Sequence, residues 1–167
     1  MSRLLDSPER LGYIVGMHIR QLTFEEILPM WQQLWEGRKS PIEPVSSMVY
    51  LGGYDMSIKT AYEPIFLGVF DEDVLVAVNS GVRSSLDMYR IRGLYVAESH
   101  RGTGLASWIL KETIDQAKTE MCSSIWALPR QTSYPVFLKL GFQKTSEWIE
   151  EGVEFGPNCY VIKDLNV

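Results

Sequence analysis

The spacing of hydrophobic and polar residues predicts a strand followed by a helix near the beginning of the chain. Residues 16–22 have the composition of a first strand, and residues 23–37 carry apolar side chains at helical spacing. Thr23, followed three residues later by Glu26, forms the sequence pattern of a capping box. Pro29 falls in the second turn, so we expect the first part of this helix to be irregular.

The next part of the chain predicts a loop and then a run of strands. Residues 38–62 contain two prolines and a Gly-Gly pair, which predicts a loop with one short helix around 45–51. Residues 64–70 and 74–84 are apolar runs separated by an acidic turn, which is the pattern of a β-hairpin. A further strand is predicted over 87–97. Within it, a glycine at position 93 indicates a bulge or a close approach to the backbone.

The second half of the chain predicts two helices that alternate with strands. The first helix follows a glycine-rich turn and has an apolar stripe made of Ala106, Leu110, Ile114, Ala117 and Met121. Charged residues are expected on its opposite face: Lys111, Glu112, Asp115, Lys118 and Glu120. Later strands are predicted over 123–129 and 158–165, with a short helix between them that ends at Gly141.

The composition favours one compact domain over residues 1–167, with residues 1–15 as an N-terminal extension. The hydrophobic fraction of 46% is enough for a core. The net charge of −5, without a basic block, argues against nucleic acid or an anionic membrane surface as the main partner and suits an amine-bearing one. Pro8 and nearby charges interrupt the N-terminus before a secretory signal forms, and no segment approaches the roughly 18 apolar residues of a membrane span. We therefore expect a cytoplasmic protein.

Cysteine and histidine are too few and too scattered to predict a metal site. Cys122 and Cys159 lack the spacing of a metal-binding pair, and the two histidines, His18 and His100, are distant from them in sequence. Both cysteines are therefore predicted to be buried, unreactive thiols.

The octet SHRGTGLA, residues 99–106, is the strongest candidate for a binding site. It joins a predicted strand to a predicted helix, whose first amide groups have no partners within the helix and favour negative charge. Gly102 and Gly104 carry no Cβ atom that would keep a phosphate from the backbone, and Arg101 adds a cation. The same glycines are equally consistent with a tight turn that binds nothing.

Two common phosphate-binding motifs do not fit this octet. A Walker loop requires a lysine after the last glycine, and none follows here. A dinucleotide fingerprint requires a third glycine where this chain has Ser107, and the octet also lies late in the chain, after antiparallel hairpins.

The wider run GLYVAESHRGTGLASWIL resembles the coenzyme A-binding segment of the GNAT superfamily of N-acetyltransferases. Arg101, Gly104 and Ala106 occupy the positions of that signature, and Val96 lies five residues before the arginine. The segment VFLKLGF, residues 136–142, resembles a second family element, a helix that ends in a Gly-Phe pair. The resemblance extends over about residues 16–165.

This resemblance implies an α/β (α+β) fold with a mixed, mostly antiparallel twisted sheet flanked by helices. Its fourth and fifth strands would be splayed around acetyl-CoA, the cosubstrate. The coenzyme would contact nine residues of this chain, three on the fourth strand and six in the glycine turn: Leu94, Tyr95, Val96, Arg101, Gly102, Thr103, Gly104, Leu105 and Ala106. Relatives often pair, so a homodimer is also expected.

The catalytic residues are less clearly indicated. Many relatives have a tyrosine as general acid where this chain has Phe137, and Tyr134, one turn earlier, is the replacement candidate. No base is evident, because Asp87, Glu98 and His100 also fit ordinary surface positions. Arginines stand on the strand where some relatives have a glutamate.

The acceptor pocket would be formed by the first helices, their loop and the last strands. Aromatic residues are frequent there and would suit an amine cation or an aromatic acceptor, although most such residues are more often plain core: Trp31, Trp35, Tyr50, Tyr54, Tyr62, Trp126 and Trp148.

The leading hypothesis is therefore an acetyl-CoA-dependent N-acetyltransferase that acts on the primary amine of a small molecule or peptide. One alternative is a sensor or interaction module that binds coenzyme A with little catalysis. Another is a domain that binds nucleotide phosphates.

Overall fold

The computed structural model describes residues 16–166 as seven strands and four α-helices. The strands are β1 (Met17–Leu22), β2 (Ile65–Asp71), β3 (Val74–Arg83), β4 (Met88–Val96), β5 (Ser124–Ala127), β6 (Gln143–Lys144) and β7 (Val161–Asp164). The helices are α1 (Phe24–Leu34), α2 (Ile58–Ala61), α3 (Leu105–Thr119) and α4 (Tyr134–Lys139). The extension predicted over residues 1–15 lies outside the described residues, so the single domain over 1–167 stays a prediction.

The strands form one sheet in the order β1-β2-β3-β4-β5-β7-β6. Neighbouring strands are antiparallel except β4 and β5, which are parallel. The prediction of a mixed, mostly antiparallel sheet flanked by helices is therefore confirmed.

Helices α1 and α3 cover opposite faces of the sheet. Phe66 of β2 packs with Ile27 and Trp31 of α1, whereas the next residue, Leu67, packs with Ile109 of α3. Neighbouring residues of a strand point to opposite faces, so the two helices lie on different sides. Within residues 16–166, no helix is both long and apolar enough to cross a bilayer.

The first helix begins as its sequence predicts. The hydroxyl oxygen of Thr23 accepts a hydrogen bond from the amide of Glu26 at 3.2 Å, and the Glu26 carboxylate accepts one from the amide of Thr23 at 2.9 Å. This reciprocal pair is the capping box. The helix ends at Leu34, three residues before the predicted end.

The short helix predicted around 45–51 was wrong. Residues 45–51 form bends and a turn, with a bridge between Met48 and Tyr54. The chain reverses between these two residues through the left-handed backbone angles of Leu51, Gly52 and Gly53. The short helix of this region is α2 instead.

The stripe predicted for α3 is only partly correct. Leu110, Ile114 and Ala117 are buried, but Met121 lies beyond the helix end and is 86% exposed. Glu112, expected on the charged face, is fully buried. The helix packs so closely on the sheet that a second set of its residues is buried as well: Leu105, Trp108, Ile109, Glu112 and Thr113.

Both cysteines are buried, as predicted. Burial raises the pKa of the Cys122 thiol and of the Cys159 thiol, so the reactive thiolate form is disfavoured at both.

Candidate active site

A bulge in β4 forms one side of the site. Ser80 of β3 pairs with Arg92, and Val78 pairs with Tyr95, so two residues of β4 stand opposite one residue of β3. One of these two is Gly93, whose φ of +81° lies in the left-handed region. The predicted irregularity at Gly93 is therefore confirmed as a β-bulge.

Strands β4 and β5 separate after a short parallel pairing. Met88–Arg90 of β4 pair with Ser124–Trp126 of β5, and no pairing between the two strands continues beyond these residues. The edge of β4 from Ile91 to Val96 then lines a cleft of about 1020 Å³. The splay predicted for the fourth and fifth strands is thus present.

The cleft has two ends, which lie along β4. We call the part near Val96 and residues 100–107 the glycine end, and the part near Arg90 and Arg92 the arginine end. Six residues of a strand span roughly 20 Å, so a group bound at Arg90 lies far from one bound at the glycine turn.

The backbone amides of the glycine turn have no partners in the described part of the chain. Gly104 is the N-cap of α3, with a φ of +88°, and its carbonyl oxygen accepts a hydrogen bond from the amide of Trp108 at 3.1 Å. Within residues 16–166, the amides from Gly102 to Ser107 have no acceptor. A Cβ atom at Gly102 would meet nothing within 4 Å. Unpaired amides at an open helix start are a suitable binding site for a phosphate group.

The side chains of the turn hold it against the end of β4. The Nε of Arg101 donates a hydrogen bond to the Val96 carbonyl oxygen at 2.9 Å, and its guanidinium lies 5.5 Å from the centre of the Tyr95 ring. The Thr103 hydroxyl donates to the His100 carbonyl oxygen at 2.6 Å. Of the nine residues predicted to contact the coenzyme, all but Thr103 line the cleft.

Both ring nitrogens of His100 are engaged. Its Nε2 lies 2.7 Å from a carboxylate oxygen of Asp71, and its Nδ1 lies 2.7 Å from the hydroxyl of Ser99. His100 lines the cleft, whereas Asp87 and Glu98, the other two candidate bases, do not.

Two buried arginines dominate the arginine end. Arg90 and Arg92 are each only 8% exposed, and their alternate positions on β4 place them on the same face. The Arg90 guanidinium lies 4.9 Å from the Trp126 ring, and that of Arg92 lies 5.0 Å from the rings of both Trp31 and Trp35. Sequence reasoning did not predict this burial, because a strand that carries arginine at alternate positions resembles one with an exposed face.

These arginines lack carboxylate partners. Arg92 donates to the carbonyl oxygens of Glu43 and Pro44 at 2.9 and 3.4 Å, whereas the Nε and Nη1 atoms of Arg90 are buried and have no partner within residues 16–166. Burial lowers the pKa of Arg90 to about 10. Burial, followed by repulsion from Arg90, lowers that of Arg92 to about 9. Both groups are therefore cations at neutral pH.

The carboxylates that line the cleft are already engaged. Glu43 accepts a hydrogen bond from the Nζ of Lys59 at 2.7 Å, and this contact lowers the pKa of Glu43. Glu154 accepts one from the backbone amide of Lys39 at 2.9 Å. Within residues 16–166, no three His, Cys, Asp or Glu side chains come together in a cluster that could hold a metal ion.

Tyr134 lies apart from the cleft lining. Its ring packs edge-on against Trp148, with ring centres 5.1 Å apart. Phe137 lines the cleft and is 2% exposed, packed against Phe142. The role of Tyr134 as general acid therefore stays a prediction.

The aromatic residues expected in the acceptor pocket divide into two groups. Trp35 and Tyr54 line the cleft, whereas Trp31 and Trp126 are fully buried beneath the arginines. The remaining three do not line the cleft: Tyr50, Tyr62 and Trp148.

Comparison with known proteins identifies the class to which this fold and cleft belong. The model of the acetyltransferase (GNAT) family matches residues 26–142. The chain therefore belongs to the GNAT acetyltransferase family, which confirms the resemblance and the prediction of acetyl-CoA as cosubstrate. No curated protein sequence matches the chain.

Solved structures share the fold at low sequence identity. An IAA acetyltransferase from Bacillus cereus is 15% identical with a TM-score of 0.65, over 89% of this chain and 99% of that one. An aminoglycoside 6'-N-acetyltransferase complexed with coenzyme A is 13% identical with a TM-score of 0.66, over 89% and 97%. The yncA protein of Salmonella typhimurium, solved with its cofactor acetyl-CoA, is 18% identical with a TM-score of 0.65, over 89% and 94%.

Proposed function

We propose that this protein is an N-acetyltransferase that transfers the acetyl group of acetyl-CoA to a primary amine of a small molecule or peptide. The observation that carries the proposal is the cleft between β4 and β5, with unpaired amides at one end and two buried arginines at the other. Family membership supports the acyl transfer, and the aminoglycoside enzyme shows that one similar fold acetylates an amine.

The glycine end would hold the coenzyme. Its diphosphate would lie on the amides from Gly102 to Ala106, since the Arg101 amide already donates to the Glu98 carbonyl oxygen at 3.4 Å. The pantetheine arm would lie beside Leu94, Tyr95 and Val96. Each contact between a charge and a helix dipole contributes only about 0.3 to 1 kcal/mol, so useful affinity requires several amides that act on one ligand. The run of unpaired amides from Gly102 to Ser107 supplies that number.

Acetyl-CoA supplies an acyl group activated as a thioester. The amine nitrogen of the acceptor bonds to the carbonyl carbon, the carbon–sulfur bond breaks, the amine loses a proton and the sulfur gains one. An amine with a pKa near 10.4 must first become neutral, which costs about 4 to 5 kcal/mol at pH 7. The positive charges of Arg90 and Arg92 lower the pKa of any amine bound near them and so reduce this cost.

The proton that the sulfur gains has two candidate sources. Tyr134 is the acid indicated by the sequence, and water in the cleft is the alternative if its hydroxyl does not reach the sulfur. Phe137 has no proton to donate.

The second candidate function is a module that binds coenzyme A without turnover. Phe137 at the usual position of the acid, together with arginines on β4, favours this alternative. Thiol release from acetyl-CoA with a panel of amines separates the two functions. Release supports the transferase. Calorimetric binding of coenzyme A without release across the panel supports the module, and absence of binding refutes both.

We also propose that the protein is cytoplasmic and forms a homodimer. Cell fractionation tests the first of these proposals, and light scattering of the purified full chain tests the second.

A further inference from the structure

Arg90 lines the cleft and, within residues 16–166, has hydrogen-bond donors without a partner. Its Nε and Nη1 atoms are buried without a partner in the described part of the chain, although the residue lines the cleft. A buried charged donor without a partner is costly, and native proteins rarely keep one without a functional reason. We therefore expect a bound ligand to supply the acceptor for these hydrogen bonds.

A second guanidinium lies two residues away on the same face of β4. Two residues of a strand rise by roughly 7 Å, so Arg90 and Arg92 can act on one small anion. The pKa of Arg92 is lowered by its burial and, secondly, by repulsion from the Arg90 cation. An anion between them would relieve this repulsion and accept charge-assisted hydrogen bonds from both.

The arginine end is cationic although the chain is acidic. Apart from Arg101 in the glycine turn and Lys139 on α4, five cationic side chains line the cleft, against two carboxylates, which belong to Glu43 and Glu154. The cations are Arg38, Lys59, Arg90, Arg92 and Arg130. A substrate whose only charged groups are ammonium groups would be repelled from the arginine end.

The rings of Trp31 and Trp126 do not compensate for this charge. The protein's own guanidiniums already occupy the faces of Trp126 and Trp31, which are fully buried. No cation–π site on these two rings remains for a substrate ammonium.

The anion is not part of the coenzyme if the diphosphate binds at the glycine turn, which lies roughly 20 Å along β4 from Arg90. A carboxylate suits the arginine end better than a phosphate, because burying a single negative charge costs less than burying a double one.

We propose that the acceptor is an amine that also carries a carboxylate, such as an amino acid, and that Arg90 and Arg92 bind this carboxylate. This proposal rests on the N-acetyltransferase function stated above. The carboxylate fixes the orientation of the acceptor and leaves its amine directed toward the opening between β4 and β5.

The test compares amines that differ only in the carboxylate. kcat/KM is measured by thiol release for a panel of α- and ω-amino acids and for their amides, with phosphoethanolamine and ethanolamine as a phosphate pair. Amidation of an α-amino acid lowers the pKa of its amine, so a larger fraction of the amide is in the reactive neutral form. A preference for the acid would therefore have to overcome this advantage of the amide. In parallel, calorimetry measures acid and amide binding to the full chain loaded with coenzyme A.

We expect the acid to be preferred, and Arg90→Gln to reduce that preference by roughly 10- to 100-fold, the value of one or two charge-assisted hydrogen bonds. Arg20→Gln is the matched control, because Arg20 is exposed, pairs with Glu26 and does not line the cleft. Arg90→Gln should raise the thermal midpoint, since it removes a buried charge without a partner. Replacing a purely structural arginine would lower the midpoint and leave the preference unchanged.

If Arg90→Gln does not fold, Arg90→Met takes its place in the test. Retained coenzyme binding then shows that Arg90→Met is folded. The proposal is overturned by equal use of acid and amide, by a preference for phosphoethanolamine, or by a preference that survives loss of the Arg90 charge. If no amine is acetylated, the transferase function fails, and calorimetry still decides the carboxylate site: binding that depends on Arg90 supports it, and no binding overturns it.

Discussion

The indole nitrogen of Trp31 donates a hydrogen bond to the carbonyl oxygen of Gly93 over 2.9 Å. This contact joins α1 to the bulge of β4, which lies in the wall of the cleft. A Cβ atom at Gly93 would lie 2.2 Å from that same nitrogen. The left-handed angle and the close indole therefore both require glycine at this position.

Gly93→Ala should destabilise the protein by roughly 3 kcal/mol or more, because left-handed backbone strain adds to overpacking against Trp31. Gly37→Ala is the matched control: its φ is +86°, but a Cβ atom there meets nothing within 4 Å. The control should cost only about 1 to 2 kcal/mol. Urea unfolding measures both, and equal losses would show that the indole contact does not matter.

Ala106→Glu should separate stability from coenzyme binding. A carboxylate in the first turn of α3 interacts favourably with the helix dipole, so the thermal midpoint should stay equal or rise. The same charge should repel a diphosphate, and we expect calorimetry to show coenzyme A binding weakened by more than about tenfold. Ala106→Gln has nearly the same size without the charge and should bind more tightly than Ala106→Glu. If both variants bind like the wild type, the coenzyme does not occupy this helix start.

The order of elements was predictable because local signals mark most of their ends. The capping box at Thr23, the acidic turn before Val74 and the left-handed Gly141 act within a few residues and need no tertiary information. β6, by contrast, has two residues, which is too short to show any periodicity.

The glycine end could be predicted, and the arginine end could not. Arg101, Gly104 and Ala106 lie within six consecutive residues, so one sequence motif contains the whole turn. The burial of Arg90 depends on Trp126, which is remote in sequence and reaches Arg90 only when β5 pairs with β4. Glu112 was misplaced for a related reason, since one helical period cannot show that α3 is buried on more than one side.

Tyr134→Phe tests the acid indicated by the sequence. Because the ring packs against Trp148 outside the cleft lining, we expect kcat to stay within about twofold of the wild type. A decrease of roughly tenfold or more would support Tyr134 as the acid. Phe137→Tyr is the complementary variant, since Phe137 lines the cleft and a hydroxyl there could protonate the sulfur. An increase in kcat in that variant would show that thiolate protonation limits the rate.

Glu26→Gln should change the acid sensitivity of the fold. The hydrogen bond from Arg20, followed by that from the Thr23 amide, lowers the pKa of Glu26 from 4.5 to about 2. Folding therefore favours the ionised form, so this contribution is complete above about pH 4.5 and is lost as the pH falls toward 2. Urea unfolding across this range should show a weaker pH dependence in Glu26→Gln than in the wild type. Glu25→Gln, which removes a charge from the same turn, should retain the wild-type dependence.

Arg92→Gln should move the pH profile of kcat to higher pH. The profile of kcat reports groups in the substrate complex, and the essential group here is the acceptor amine, which reacts only when neutral. With an acceptor that carries no carboxylate to neutralise the arginines, a nearby cation lowers the pKa of the amine, so loss of the Arg92 charge should raise it by about one unit. At pH 7 the variant should therefore be slower by up to about tenfold and should recover as the pH approaches 9 to 10. The control variant Arg20→Gln, at an exposed position, should keep the wild-type profile. If the inflection of Arg92→Gln is not shifted, the charge of Arg92 does not lower the pKa of the amine, and a base has to accept its proton.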